Sequence, residues 1–514
     1  MQNYVDPDIP SSSSSAESMR DKIDKAQDKL VKQQQSNSRK DEKDVSLYSR
    51  YWQEVLPRPS LPCNNNKEQA ITISDTTTTN NKLHSSFTVA TFNTLAHGLS
   101  CGPPSTLFPP PFPKEDTSTP MDTNVIPNTM EEEAYYGGFV NVSNPEVVFD
   151  WNNIRKWRLL HVLLGGGLQT SSTTTTQQQP IFDILALQEV DEYNSFFQPL
   201  LVNDTWYQGT FQPKPNSPCV PLGYYSDGVA LFWNVHKFET IHRCCHSSRH
   251  VNEEQIHNDT NDNYDNDCGK AWIEQGTFTG KEVGLIDNNN DNNTSNDEVD
   301  VINVSNQVYV LVPLQIIGTH KCLVVGATHL KAKSGLQNEL IRHTQVMELR
   351  HRAEEMAQEI LATTMGSRKE VSILLLGDFN SEPHESTVRS ILCSEKKDDD
   401  SSSSKLWHYQ SAYSLPPNQE KPIENENSLY TTWKIRREGE VKRIIDYIFY
   451  ASSHSSSTAT TSGDDNGGEG EDGLMKMQCT HVLSIPKDTD VENGRYPGYR
   501  YPSDHLLIAA KFDY

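Results

Sequence analysis

SILLLGDFN, residues 372–380, is the stretch that decides the fold. Ile373 to Leu376 are apolar without a polar alternation, as in a strand buried on both faces. The run then delivers Asp378 and Asn380, two apart, so in an extended chain both face one side. A buried strand carrying polar groups at its C-terminal end is a rigid mount for a site.

The same texture recurs on both sides. FTVATFNTL (87–95) alternates like a strand and holds Asn93 near its end. IFDILALQEV (181–190) is a short apolar run reaching Glu189, and GVALFW (228–233) follows Asp227. Strand-like runs at 308–317 and 322–328 lead to His329. RIIDYIFY (443–450) contains Asp446, and LLIAAKF (506–512) comes directly after Asp504 and His505. Two helices are expected. WNNIRKWRLLHVLL (151–164) puts Trp151, Ile154, Trp157, Leu160 and Leu164 on one face, and 335–363 reads as a long amphipathic helix. No repeat period is present, which excludes solenoids and propellers.

These runs form one domain, 86–514, interrupted by low-complexity insertions at about 101–131, 165–179, 251–300, 395–404 and 452–473. Residues 1–85 read as a disordered or partly helical N-terminal tail and linker. Met19, Ile23, Ala26 and Leu30 fall at helical spacing, and 57–82 is rich in Pro, Asn and Thr. The chain has 514 residues and a net charge of −24. That charge is concentrated: residues 253–300 alone carry 13 acidic and 2 basic side chains. The acidity therefore describes insertions and does not exclude an anionic ligand. No run approaches the ~20 apolar residues of a membrane span, so no membrane association is expected. The N-terminus lacks the apolar core of a secretory signal and is acidic where a mitochondrial presequence is basic. Nine scattered cysteines without a C-x-x-C pair argue against a disulfide framework or structural zinc. The expected compartment is the cytoplasm, with nucleus or mitochondrion as alternatives.

Apolar strands in this chain end repeatedly in carboxylates, amides or histidines: Asn93, Glu189, Asp227, His329, Asp378, Asn380, Asp446, Asp504 and His505. Each alone has a bland explanation, since an Asn after a strand usually makes a turn and a lone acid is usually solvated. Their repetition at the ends of separate strands points to one constellation. Oxygen donors suit a hard cation such as Mg²⁺ and disfavour a soft metal.

The motifs FNTLA (92–96), LALQEVD (185–191), DGVALFW (227–233), THLKAK (328–333), LGDFN (376–380), RIIDYIFY (443–450) and PSDH (502–505) resemble, in this order, those of the endonuclease/exonuclease/phosphatase superfamily. The resemblance implies an α+β fold of DNase I type, a four-layer αββα sandwich of two packed mixed sheets flanked by helices. Within the superfamily, YQGTFQPKPNSPC (207–219), THLKAKSG (328–335), YTTWKIR (430–436) and NGRYPGYRYPSDH (493–505) resemble the nocturnin branch. The poly(A) deadenylases of carbon-catabolite-repressor type are the neighbouring group.

The resemblance implies a phosphoester hydrolase using Mg²⁺, with Mn²⁺ as the alternative. Glu189 is the implied metal ligand, with Asn93 beside it, and Asp504 is an acid either behind the ligands or on a second metal. Asp378 would position or deprotonate the attacking water, and Asn380 would hold that water or the phosphate. Asp446 and His505 would form a pair binding the phosphoryl group, and His329 would donate to the same oxygens. Lys214, Lys331 and Lys333 are the expected substrate-binding residues, because extra cations suit a second anionic group. Lys331 and Lys333 would share a face if their strand continued. Lys333 stands where nocturnins often have Arg, and an ammonium cannot form the planar fork. The implied substrate is an adenine nucleotide, with removal of the 2′-phosphate of NADP⁺ or NADPH favoured. The alternative is a 3′→5′ exoribonuclease acting on RNA 3′ ends, but no Lys/Arg run outside the N-terminal tail and no RNA-binding motif stands out. No obligate protein partner is evident.

Overall fold

The structure is a computed structural model that describes residues 18–36, 46–55, 86–100, 136–168, 181–203, 205–242, 271–279, 305–363, 370–393, 407–415, 429–452 and 476–514. The strands in chain order are β1 (Trp52–Glu54), β2 (Ser86–Asn93), β3 (Ile184–Gln188), β4 (Tyr207–Pro213), β5 (Gly228–Asn234), β6 (Phe238–Thr240), β7 (Glu274–Thr277) and β8 (Val308–Ile316). They continue as β9 (Lys321–His329), β10 (Glu370–Asp378), β11 (Gln410–Ser411), β12 (Thr432–Arg436), β13 (Gly439–Arg443), β14 (Asp446–Ser452), β15 (Gln478–Leu483) and β16 (Ile508–Asp513). The helices are α1 (Met19–Ser36), α2 (His97–Ser100), α3 (Pro145–Val148), α4 (Lys156–Leu163), α5 (Leu336–Ala362) and α6 (Ser386–Leu392).

The strands make two mixed sheets. The first runs β1-β15-β16-β2-β3-β5-β4, and the second runs β11-β14-β10-β9-β8-β6, with β7 also on the β8 edge. Alternation along each strand sorts side chains into three apolar layers. Val89, Ile184 and Leu231 of the first sheet meet Val310, Val325, Leu374 and Ile448 of the second in the layer between them. On the outer face of the first sheet, Phe92, Leu185 and Phe232 pack against Trp157 and Leu160 of α4. On the outer face of the second, Val324, Ile373 and Leu375 pack against Val346, Leu349 and Met356 of α5 and Val388 of α6. The expected four-layer αββα sandwich is what these clusters describe.

Three departures from the sequence reading have local causes. Residues 18–36 and 46–55 are not a loose tail. Ser18 caps α1, donating its N–H to Asp21 Oδ2 while its Oγ accepts the Asp21 N–H. Ile23, Ala26 and Leu30 are buried, and the Lys22 ammonium lies 4.9 Å from the Trp157 ring centroid. β1 then pairs with β15, and buried Arg50 donates to the carbonyls of Ser484 and Leu507. Second, the 251–300 insertion contains β7, which pairs with Val308–Leu311 of β8. Third, the helix at 151–164 opens with a π-helical turn over Trp151–Arg155, capped by Asp150 accepting the Asn153 N–H, before α4 begins. The linker 57–82 and the other insertions lie largely or wholly outside the described residues.

Candidate active site

Sheet register places the first part of the site. β9 and β10 are parallel with Asp378 opposite His329, and β14 runs antiparallel to β10 with Asp446 opposite Asp378. His329, Asp378 and Asp446 therefore form one row across three strands. They share parity with Val325, Leu374 and Ile448, so they point into the space between the sheets. Gly377 keeps that row close: its φ is 150°, and a Cβ there would lie 2.0 Å from the Thr328 carbonyl oxygen.

The first sheet supplies the opposite wall. β2 and β3 are parallel and end together, with Asn93 opposite Gln188. Glu189 follows in a left-handed conformation, φ 55°, which turns its carboxylate back toward Asn93. Asn93 Nδ2 donates to Glu189 Oε1 at 2.9 Å and to Asp378 Oδ2 at 3.1 Å, so this one amide ties the two sheets together. The chain entering β16 brings in His505, and Ser503 Oγ donates to the Asn93 carbonyl at 2.7 Å.

The remaining distances close the cluster. His329 Nε2 is 4.0 Å from Glu189 Oε1 and 3.7 Å from Asp378 Oδ2. His505 Nδ1 is 2.9 Å from Asp446 Oδ2, and its Nε2 is 3.8 Å from Asp378 Oδ2. Lys214 is buried with its Nζ 2.6 Å from Asp227 Oδ2.

Burial and neighbouring charges set the protonation states. Asp378 is pushed up to about 7, first by burial and then by the neighbouring Asp446 carboxylate. His329 is held well below its ordinary value, chiefly by burial, with Lys214, His505 and Lys434 adding to the effect. It is therefore a neutral imidazole at pH 7. His505 goes the other way. Burial lowers it, but Asp446, Asp504 and Asp378 surround it and raise it to about 9, so it carries a proton.

Three expected placements need correction. Asp504 does not offer an open carboxylate to a metal: its Oδ2 is 2.6 Å from Lys434 Nζ and 3.6 Å from Arg436 Nη2. Burial would raise Asp504, yet Lys434, His505 and Arg436 together hold it below the usual carboxylate range. Asn380 does not share a face with Asp378, because β10 ends at Asp378 and Asn380 turns into φ 51°. Its Nδ2 donates to the Leu330 carbonyl, joining two loops, while its N–H donates to Asp378 Oδ1. Lys331 and Lys333 do not lie on a continued strand, since β9 stops at His329. They sit on a loop, Lys331 half-buried and Lys333 exposed with φ 77°.

Lys434 and Arg436 went unnoticed in the sequence although YTTWKIR contains them. Their signal was the two-residue alternation of β12, which places both on one side, toward Asp504.

The donor chemistry fits a hard divalent cation on the Glu189 side. Glu189 retains some exposure and faces buried Asp378 across Asn93, and among the described residues its salt-bridge-distance neighbour is His329, which the site holds neutral. Asn93 turns its amide nitrogen, rather than its oxygen, to these carboxylates, so it serves as their bridge; its Oδ1 accepts the Leu95 N–H. Asp378, Asp446 and His505 also bring three ligand atoms within 4.8 Å. Within that trio His505 Nδ1 is engaged by Asp446 Oδ2 at 2.9 Å.

Comparison with known proteins gives the family. Residues 140–505 match the model of the Endonuclease/Exonuclease/phosphatase family. Nocturnin of Rattus norvegicus is 30% identical over 336 residues, covering 65% of this chain and 55% of the relative. The probable CCR4-Not complex 3′-5′-exoribonuclease subunit Ccr4 of Vairimorpha ceranae is 24% identical over 335 residues, covering 64% and 54%. The chain thus spans about half the length of these curated relatives. The human Nocturnin catalytic domain with bound sulfate superposes over 84% of this chain and 97% of that one, at 21% identity and a TM-score of 0.43. The family match begins before the first sheet's Glu189 and runs to His505 itself, and on that span the chain belongs to the Endonuclease/Exonuclease/phosphatase family.

Proposed function

We propose that the chain is a Mg²⁺-dependent phosphoester hydrolase of nocturnin type that removes the 2′-phosphate of NADP⁺ and NADPH. The observation that carries the reading is the convergence of Glu189, His329, Asp378 and His505 from two sheets, all four linked through Asp378 and Asn93.

A Mg²⁺ ion held by Glu189, with Mn²⁺ as a substitute, would neutralise charge on the phosphoryl oxygens and on the departing alkoxide. The protein's own groups divide the remaining work. Asp378, in the row with His329 and Asp446 and held by Asn93, is placed to accept a proton from the attacking water. His505 keeps its proton through Asp446 and binds the phosphoryl group as a cation. Neutral His329 donates through one N–H. Lys214, fixed by Asp227, lies close enough to Glu189 to feel its charge, and it supplies a further cation at the site wall. Lys331 and Lys333, on the loop leaving His329, supply positive charge for a second anionic group of the substrate.

A 3′→5′ exoribonuclease acting on RNA 3′ ends is the second reading, favoured by the similarity to the Ccr4 subunit. The deciding experiment measures phosphate release from NADPH and shortening of labelled oligo(A) side by side, with Mg²⁺ and with EDTA. Phosphate release from NADPH that EDTA abolishes is the expected result. Oligo(A) shortening with NADPH intact transfers the assignment to the second reading. Activity that survives EDTA overturns both.

A further inference from the structure

The loop that leaves His329 is gripped from α5. The Lys331 N–H donates to Gln345 Oε1 at 3.1 Å. The carbonyls of Lys331 and Lys333 both accept from Arg342 Nη1, at 3.1 and 2.7 Å. Lys333 holds φ 77°, a left-handed conformation that a residue with a Cβ keeps only where its surroundings enforce it. Arg342 is 1% exposed, and its Nε donates to Glu339 Oε2 at 2.8 Å.

Glu339 grips the segment that leaves β10, from the loop at Ser381 to the first turn of α6. Its Oε1 accepts the Thr387 N–H at 2.7 Å and the Ser386 hydroxyl at 3.0 Å, and Ser381 Oγ lies 3.1 Å from Oε2. That segment begins directly after Asp378 and Asn380. The ion pair thus spans the two segments that leave adjacent strands at the site, and Asn380 Nδ2 on Leu330 O stitches them a second time. Buried Arg is suited to the position: a planar fork reaches two carbonyls and a carboxylate at once, whereas an ammonium is a point charge.

We infer that Arg342, with Glu339, is a positioning residue that fixes the Lys331–Lys333 loop against the catalytic carboxylates and thereby sets the preference for a substrate with a second anionic group. The inference rests on the reading of Lys331 and Lys333 given under Proposed function. Neither Arg342 nor Glu339 touches the reacting atoms, so a separation of KM from kcat distinguishes positioning from a merely structural role.

The test is a double-mutant cycle on the full chain, with NADPH and oligo(A) each assayed as substrate. The variants are Arg342→Lys, Lys331→Ala/Lys333→Ala, and the three changes combined. Arg342→Lys keeps a positive charge beside Glu339. Should it fail to fold, Glu339→Gln with Arg342→Met removes the grip without stranding a buried charge. The expected result is a rise in KM of about tenfold with kcat within about threefold, and no further rise when the lysines are already absent. If the lysine pair raises KM and the Arg342 change either leaves KM alone or adds its full effect in the lysine-free background, the positioning role is overturned and the functional reading stands. If the lysine pair changes no KM, or neither substrate is hydrolysed, that reading fails and the inference fails with it.

Discussion

His505 Nδ1 stands 2.9 Å from Asp446 Oδ2, so a residue just ahead of β16 in the first sheet is ion-paired to a residue opening β14 in the second. The pair is buried, and Asp446 is itself fixed by its own N–H donating to Thr431 Oγ1. Asp446→Asn preserves volume but removes the charge that keeps the imidazole protonated. We predict a kcat loss of ~10²–10³, the range for removing one charge-stabilising element, with little change in KM. Steady-state kinetics at pH 7 on a variant whose circular dichroism matches the parent provides the check.

The same pair dictates a pH dependence of stability. The folded pKa of His505 is raised from 6.5 to about 9. Between those values the native state binds more protons than the unfolded state, so raising the pH costs stability. The contribution is complete below about 6.5 and is lost as the pH passes through 9. Melting temperatures taken with EDTA from pH 7 to 9.5 should fall, and Asp446→Asn should flatten the decline. An equal slope in both proteins would show that His505 is not the group responsible.

Glu189 and Asn93 separate metal binding from bridge formation. Glu189→Gln removes the charge facing Asp378 while retaining an oxygen, and it should weaken the half-saturating Mg²⁺ concentration by ~10-fold or more. Asn93→Ala leaves Glu189 charged but cuts the link between the sheets. It should lower kcat more than it shifts the Mg²⁺ requirement. Mg²⁺ titrations of both variants decide, and similar titration curves for Glu189→Gln and the parent would remove Glu189 from the metal site.

Much of this site was legible because strand ends announce themselves. An apolar run that stops at His329, Asp378 or Glu189 has placed a polar group where the sheet edge fixes it, and register does the rest. Asn380, Lys331 and Lys333 were misplaced for one reason: all lie just past a strand end, where positive φ or a loop breaks the period-2 rule on which the reading depended. Lys434 was invisible as a site residue because its partner Asp504 is 70 positions away. The helix α1 had its spacing read correctly, but an amphipathic helix without a visible partner looks like any leader. Its partner is the Trp157 face of α4, more than a hundred residues on.

Asp504 is predicted to act through stability and charge rather than as a metal ligand. Asp504→Asn strands Lys434 and Arg436, which now share one buried carboxylate. Breaking a buried pair from one side costs on the order of 3 kcal/mol. Lys434 is 17% exposed, so water softens the cost for that partner. Chemical denaturation should show the loss, whereas half-saturating Mg²⁺ should stay within about twofold of the parent. A large rise in the Mg²⁺ requirement would instead return Asp504 to the metal site.

Leu30 tests whether α1 belongs to the folded unit. It is 1% exposed and packs with Val148, Phe149, Ile154 and Tyr499. Truncation to Ala removes that contact and leaves a cavity, costing ~2–4 kcal/mol. Activity should respond differently. The segment following Asn93 and the one leading to His505 are clamped by Arg155, whose Nη1 and Nη2 donate to the carbonyls of Thr94 and Leu95 and whose Nη1 also reaches the Pro502 carbonyl. Those bonds do not pass through α1. Leu30→Ala should therefore lower the melting temperature while leaving kcat and KM at 25 °C within about twofold. A variant that melts like the parent would mean that α1 contributes no net stability in solution, and one that loses turnover would place α1 among the supports of the site.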